Sequence, residues 1–199
     1  MIEEEVLSKG ADAPLTENPR ARLRAIKIGR EWAMPNHQTF SIPPIARLIE
    51  RYQRFYDGFW VDPFCGSNKY ANYTNDLNPE IKADQHEDAI NFLKGLGKQN
   101  DYFFFFDPPY SPRQISECYK NVGIQTNMQT TQSSWYSNIK DEISRLTDVG
   151  NLVISASWNS NGIGASRGFE IEEILIVAHG GWHNDTIVTV ECKVQGSLL

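Results

Sequence analysis

The chain has 199 residues, of which 40% are hydrophobic and 22% charged, and a formal net charge of −6. That length suits one domain with a full core and is cramped for two, and the composition is that of an ordinary globular protein. The acidic balance argues against indiscriminate nucleic-acid binding, which leaves a basic footprint. No apolar run approaches membrane-spanning length, and the acidic start Glu3-Glu4-Glu5 is unlike a signal peptide. Cys65, Cys118 and Cys192 are odd in number and scattered, without metal-ligand or disulfide spacing, so a reducing cytoplasm is the default location and packing the default role.

Residues 1–19, with Gly10, Pro14 and Pro19, read as a poorly ordered arm, and 20–199 as the folded domain. The basic run from Arg20 to Arg30 reads as a solvated helix face, with a phosphate contact as the alternative. A helix is expected from Ser41 or the Pro43-Pro44 pair to about Tyr52, with Ile45, Leu48 and Ile49 on one face. Strands follow at 59–62 and near 71–75, then a helix from about Glu87 to Leu96. Tyr102 to Phe106 are five consecutive aromatics, a strand buried on both faces. Residues 111–134 form a long polar stretch, and a helix runs from about Trp135 to Leu146. Strands at 152–156, 169–178 and 186–193 finish the pattern, the last two as an antiparallel hairpin at the sheet edge across Gly180-Gly181. Strands alternating with helices in this way indicate a doubly wound α/β sheet.

Two constellations carry chemistry. At the first strand ends, Asp62 and Gly66 stand where a strand meets a cofactor, and Asp76 is placed like an acid that hydrogen-bonds ribose hydroxyls. Asp88 marks a third such edge, or else the solvated start of a helix. The second constellation is Asp107-Pro108-Pro109-Tyr110 at the carboxyl end of the aromatic strand, the edge where open α/β sheets bind ligands. Its acid, prolyl carbonyl and aromatic ring suit a planar base bearing an exocyclic amine. Two acceptors on the amine hydrogens draw the nitrogen towards tetrahedral geometry and free its lone pair for in-line attack on a methyl sulfonium. Tyr110 stacks on the base, which must leave a duplex to reach it.

With these motifs the chain resembles the DNA amino-methyltransferases, most closely the small phage-type adenine-specific enzymes. The resemblance rests on Asp107 to Tyr110 with Ser111-Pro112-Arg113, on Asp62-Pro63-Phe64 with Gly66, and on Asn75-Asp76-Leu77-Asn78-Pro79. Glu31 to Asn36 upstream and Gly180 to Asp185 downstream reinforce it, over roughly residues 30–194. It implies a single Rossmann-like methyltransferase domain that transfers methyl from S-adenosylmethionine to adenine N6 in DNA, in the cytoplasm of a bacterial host. It implies catalytic roles for Asp107, Pro108, Pro109 and Tyr110, and cofactor contacts from Thr39, Phe40, Asp62, Phe64, Gly66, Asp76, Leu77 and Asp88. Trp32, Met34, Asn36, Ser111, Arg113, Trp182, His183 and Asn184 are the candidate substrate contacts, and no metal site is expected; His179 and His183 lack helical spacing.

The chain departs from the pattern at three points. Asn68 replaces a glycine of the cofactor turn, and the thirteen residues 63–75 are too few for a full crossover helix, so the first crossover is shortened. No segment is large enough for a separate target-recognition domain, which leaves room for a homodimer or a specificity partner. An RNA or protein-amide acceptor, and an inactive nucleic-acid-binding subunit, remain alternatives. Residues 111–134, lacking clear periodicity and with Gly123 as hinge, are expected to fold over the flipped adenine, Arg113 contacting a phosphate.

Overall fold

A computed structural model describes residues 25–98, 101–123 and 133–196. The strands are β1 (Lys27–Trp32), β2 (Phe59–Asp62), β3 (Tyr73–Thr74), β4 (Tyr102–Phe106), β5 (Leu152–Ser157), β6 (Phe169–Ala178) and β7 (Thr186–Lys193). They form one 7-stranded sheet in the order β1-β6-β7-β5-β4-β2-β3. Neighbours are parallel except at β7, which runs antiparallel to both β5 and β6. The helices are α1 (Pro43–Gln53), α2 (Ala89–Gly95), α3 (Pro112–Asn121) and α4 (Ser133–Leu146). None of them is long and apolar enough to cross a membrane.

The aromatic strand is the centre of the molecule, as its sequence requires. All five residues of β4 are buried. Phe103 and Phe105 join the core on the α1 side, with Trp60 and Leu175. Tyr102, Phe104 and Phe106 join the opposite core, with Phe92 of α2, Ile115 of α3 and Ile139 of α4. A strand with helices on both faces has no polar side, which explains why no alternation is visible in its sequence. Helix α1 opens on Pro43 and Pro44, whose missing N–H groups cost nothing in a first turn, and buries Ile45, Leu48, Ile49 and Tyr52.

Three expectations are corrected. The β6–β7 hairpin does not lie at the sheet edge: β1 pairs in parallel with β6 from Lys27↔Glu173 to Trp32↔Ala178 and covers it. Accordingly Lys27 to Arg30 belong to a strand rather than a helix face; five of the six β1 residues are exposed, so no buried face marks it in the sequence. Lys27 and Arg51 both pair with the buried Glu173, at 3.2 and 2.7 Å. Residues 111–134 are not aperiodic throughout, since α3 occupies 112–121 and buries Ile115 and Tyr119, one turn apart. Its start carries a Ser-x-x-Gln capping signature, Ser111 to Gln114, and the Ser111 hydroxyl accepts the Gln114 N–H at 3.3 Å. The N-terminal arm, residues 20–24 of the basic run and residues 124–132 of the polar stretch lie outside the described residues.

The first crossover, 63–72, contains no helix. After β3 a parallel bridge joins Asn75 to Gln85, and Asp84 Oδ2 accepts from Thr74 N–H at 2.9 Å and from its hydroxyl at 2.8 Å. This rudimentary edge brings Asp88 to the same side of the sheet as Asp62 and Asp76.

Candidate active site

Strand order reverses between β2 and β4: the chain moves outward from β2 to β3, then returns to the other side of β2. Loops leaving two such strands diverge and open a crevice at their carboxyl ends. A cavity of about 640 Å³ lies there, lined by Gly66, Asp76, Asp88, Asp107 and Tyr110 among others.

The β2 end is held by its own polar groups. Asp62 is 0% exposed. Its Oδ1 accepts the Phe64 N–H at 2.9 Å and its Oδ2 accepts the Asn68 amide at 2.7 Å. Burial pushes its carboxyl up to about 7, with the Asp107 and Asp76 charges adding and the two hydrogen bonds opposing. Asp62 therefore shapes the loop from behind rather than facing the cavity. Asn68, the residue that departs from the glycine pattern, is a strut: it donates to Asp62, and its Oδ1 accepts the Tyr70 N–H at 2.9 Å. Gly66 adopts φ +49°, and a Cβ there would sit 3.1 Å from Gln38 Oε1, so the turn needs glycine for conformation as well as space. Its N–H donates to Asp76 Oδ2 at 2.9 Å, while Asp76 Oδ1 accepts the Asn78 N–H at 2.9 Å. The acid at the end of β3 thus ties both loops together at the cavity wall.

Asp88 caps α2, its Oδ1 accepting the Ile90 N–H at 3.0 Å, and its Oδ2 accepts the Tyr119 hydroxyl from α3. Phe64 packs between Phe106 and Trp135 at centroid distances of 6.1 and 5.8 Å. Trp135 is buried in the cavity wall beside Tyr119.

The β4 end is held more elaborately. The Tyr110 hydroxyl donates to Asp107 Oδ1, and the Thr39 side chain also hydrogen-bonds Asp107. The Tyr110 N–H donates to Gln114 Oε1 at 2.6 Å, and the Tyr136 hydroxyl donates to the Pro109 carbonyl. The Pro108 carbonyl accepts no hydrogen bond from the described residues. Burial raises the Asp107 carboxyl to about 6 despite the bonds from Tyr110 and Thr39. Burial, with the Asp107 charge beside it, raises the Tyr110 phenol well above its ordinary value and keeps it protonated. Trp158, following β5, meets the Tyr110 ring edge-on at 5.4 Å.

The structure thus brings Thr39, Phe64, Gly66, Asp76, Leu77, Asp88 and the Asp107–Tyr110 turn to one cavity. Phe40 lines this cavity as well, and its ring packs on Phe105 at 5.2 Å. Trp32, Met34 and Asn36 line a separate cavity of about 450 Å³ with Pro43, Pro44 and Arg47. Ser111 caps α3, and Arg113 makes an exposed ion pair with Glu117 at 2.8 Å. Trp182, His183 and Asn184 occupy the exposed turn between β6 and β7. His179 is buried, with Nδ1 2.8 Å from the Ala33 carbonyl and Nε2 2.8 Å from the Thr186 hydroxyl. No cluster of three metal-ligating side chains occurs among the described residues. Gln114, Tyr119, Trp135, Tyr136 and Trp158 were not foreseen as site residues. Only Gln114 carried a local signal, through the capping signature.

No family model matches the chain, and no curated protein matches it in sequence. Among solved structures, a Haemophilus influenzae protein described as a methylase aligns with a TM-score of 0.49 and 9% identity, over 77% of this chain and 98% of that one. TrmN from Thermus thermophilus aligns with a TM-score of 0.49 and 16% identity, over 77% of this chain and 49% of that one, so the chain spans about half its length. By its own strand order, with the reversal between β2 and β4 and the antiparallel β7, the chain is a Rossmann-like α/β fold.

Proposed function

We propose that the chain transfers a methyl group from S-adenosylmethionine to the N6 amine of adenine in DNA. The observation that carries this reading is the pairing of a half-buried Asp107 carboxylate with a Pro108 carbonyl that accepts no bond from the described residues, at the switch-point cavity and beside an aromatic ring. The cavity's other half suits the methyl donor. Gly66 leaves room for close backbone approach, and Asp76 offers carboxylate acceptors to ribose hydroxyls. S-adenosylmethionine supplies an electrophilic methyl group on a sulfonium.

The chain's own residues prepare the acceptor. Asp107 and the Pro108 carbonyl each take a hydrogen bond from the exocyclic amine, which pyramidalises the nitrogen and localises its lone pair. A carboxylate offers about four lone-pair sites, so Asp107 keeps acceptor capacity beside Tyr110 and Thr39. The Tyr110 ring stacks on the base and favours the cationic amine as it forms. Thr39, Gln114 and Tyr136 hold the turn, so the acceptors are oriented before substrate arrives.

The test is transfer of labelled methyl from S-adenosylmethionine to unmethylated DNA, followed by nucleoside analysis. Label in the N6-methylated deoxyadenosine of the DNA is the expected result, and label confined to protein or RNA overturns the reading. Asp76→Ala is expected to weaken S-adenosylmethionine binding by about 1–3 kcal/mol, through ribose hydroxyls left unpaired and a slackened Gly66 turn. Calorimetry checks this, and wild-type affinity in the variant would remove Asp76 from the cofactor site. A pH dependence follows from Asp107. A protonated carboxyl cannot accept on both oxygens, and the group sits at about 6. kcat/KM is therefore expected to fall as pH drops through about 6 and to level off above it. A profile flat from ~5 to ~8 contradicts the assignment of Asp107 as acceptor.

A further inference from the structure

Three exposed tryptophans stand on the sheet edge that carries the cavity. In the order β1-β6-β7-β5-β4, each strand or turn presents an aromatic residue at that edge. Trp32 ends β1, Trp182 lies in the β6–β7 turn, Trp158 follows β5 and Tyr110 follows β4. Trp32, Trp182 and Trp158 are 64%, 103% and 44% exposed. Contacts fix the row at both ends. Trp158 touches Tyr110, and Trp32 Nε1 lies 3.5 Å from where a Cβ on Gly180 would stand. Strands about 4.8 Å apart make the row roughly 19 Å long. At its far end is the second cavity, about 450 Å³, where Trp32 and Met34 face Pro43, Pro44 and Arg47.

Exposed side chains of this size contribute little to the fold, and grouped on one edge they mark a binding surface. We infer that the row is a stacking track for an unpaired DNA strand, which enters with its target adenine at Tyr110 and lays neighbouring bases on Trp158, Trp182 and Trp32. The inference rests on the proposed function and narrows its substrate from DNA in general to single-stranded DNA. Aromatic platforms bind successive bases by their faces, which a duplex keeps covered. Charge points the same way. The net charge is −6, and of the cations near this edge Arg113 and Arg47 are paired with Glu117 and Glu31, which leaves Lys69 at the cavity wall. Binding by phosphate contacts alone has little to draw on here, whereas stacking needs no excess of positive charge. An unpaired substrate also avoids the cost of extruding a base, a few kcal/mol.

Titration of the full chain with a single-stranded DNA of roughly a dozen nucleotides, read by tryptophan fluorescence, tests this. The same sequence as duplex DNA and as an RNA strand provides the comparison. Quenching is expected with the single strand, at least about tenfold tighter binding than to the duplex, and about 5- to 100-fold loss for Trp182→Ala and for Trp32→Ala. Trp182→Phe retains most of the affinity because it keeps a ring. Both side chains are exposed, so the variants fold, and unchanged S-adenosylmethionine affinity verifies it. Alanine variants that bind like wild type, or a duplex bound as tightly as the single strand, overturn the track. Tighter binding of the RNA strand overturns DNA as its occupant. Tryptophan-dependent strand binding without methyl transfer supports the track while refuting the proposed activity, and methyl transfer indifferent to both tryptophans refutes the track alone.

Discussion

Replacing Asp107 by alanine is expected to lower kcat for methyl transfer by about a hundredfold or more, while S-adenosylmethionine affinity stays within about twofold. The separation follows from where the side chain sits. Asp107 meets Tyr110 and Thr39 at the β4 end, whereas the loop of the proposed donor site is held by Asp62, Asn68 and Asp76. The variant removes one of the two acceptors proposed for the amine, in a partly dry site where such bonds count for more than in water. It also frees the Tyr110 hydroxyl, so some loss in substrate affinity accompanies the fall in kcat. Steady-state kinetics with calorimetry of the donor checks both halves. Turnover at the wild-type rate would remove Asp107 from the chemistry, and equal collapse of donor affinity would make it a structural residue.

Phe105→Ala is expected to cost about 3–5 kcal/mol of stability and to lower the melting temperature by roughly 10 °C. Phe105 is 0% exposed at the middle of the sheet and packs on Trp60 at 4.8 Å and Phe40 at 5.2 Å. Those neighbours belong to β2 and to the turn at Thr39–Ser41, which are fixed by backbone hydrogen bonds and cannot collapse into the space left behind. The cavity term therefore adds to the lost transfer energy. Phe40 precedes Ser41 and follows Thr39, the partner of Asp107, so the variant is also expected to lose kcat at temperatures where it remains folded. Thermal melts measure the first effect. A cost below about 1 kcal/mol would mean that the core closes around the deletion.

What was legible in the residues follows from local physics. Five successive aromatics permit only a strand covered on both faces, and β4 is that strand. Pro43-Pro44 before a 3.6-residue apolar pattern marks a helix start, and α1 begins there. Thirteen residues between two strand-end acids leave no room for a helix, and the first crossover has none. The acids at strand ends are legible for a related reason: prolines stop β2 and β4 directly after Asp62 and Asp107, whatever else the chain does.

Other features depend on partners distant in sequence. The pairing of β1 with β6 spans about 145 residues, and β1 has no buried face to mark it, so its place at the edge is decided only when the sheet assembles. That placement moves the hairpin inward and sets Trp32 beside Gly180 at the start of its turn. The site's supports are equally non-local. Tyr136 reaches Pro109, Tyr119 reaches Asp88, and Trp158 reaches Tyr110, each from an element packed beside the motif rather than adjoining it. Likewise, the side of Asp62 that faces the protein interior emerges only when Asn68 folds back onto it. Strand identity and the acids at strand ends are short-range properties of the chain. Which carboxylate faces the cavity, and which aromatics surround it, follows from packing, because side chains far apart in sequence converge only at the edge where the strand order reverses.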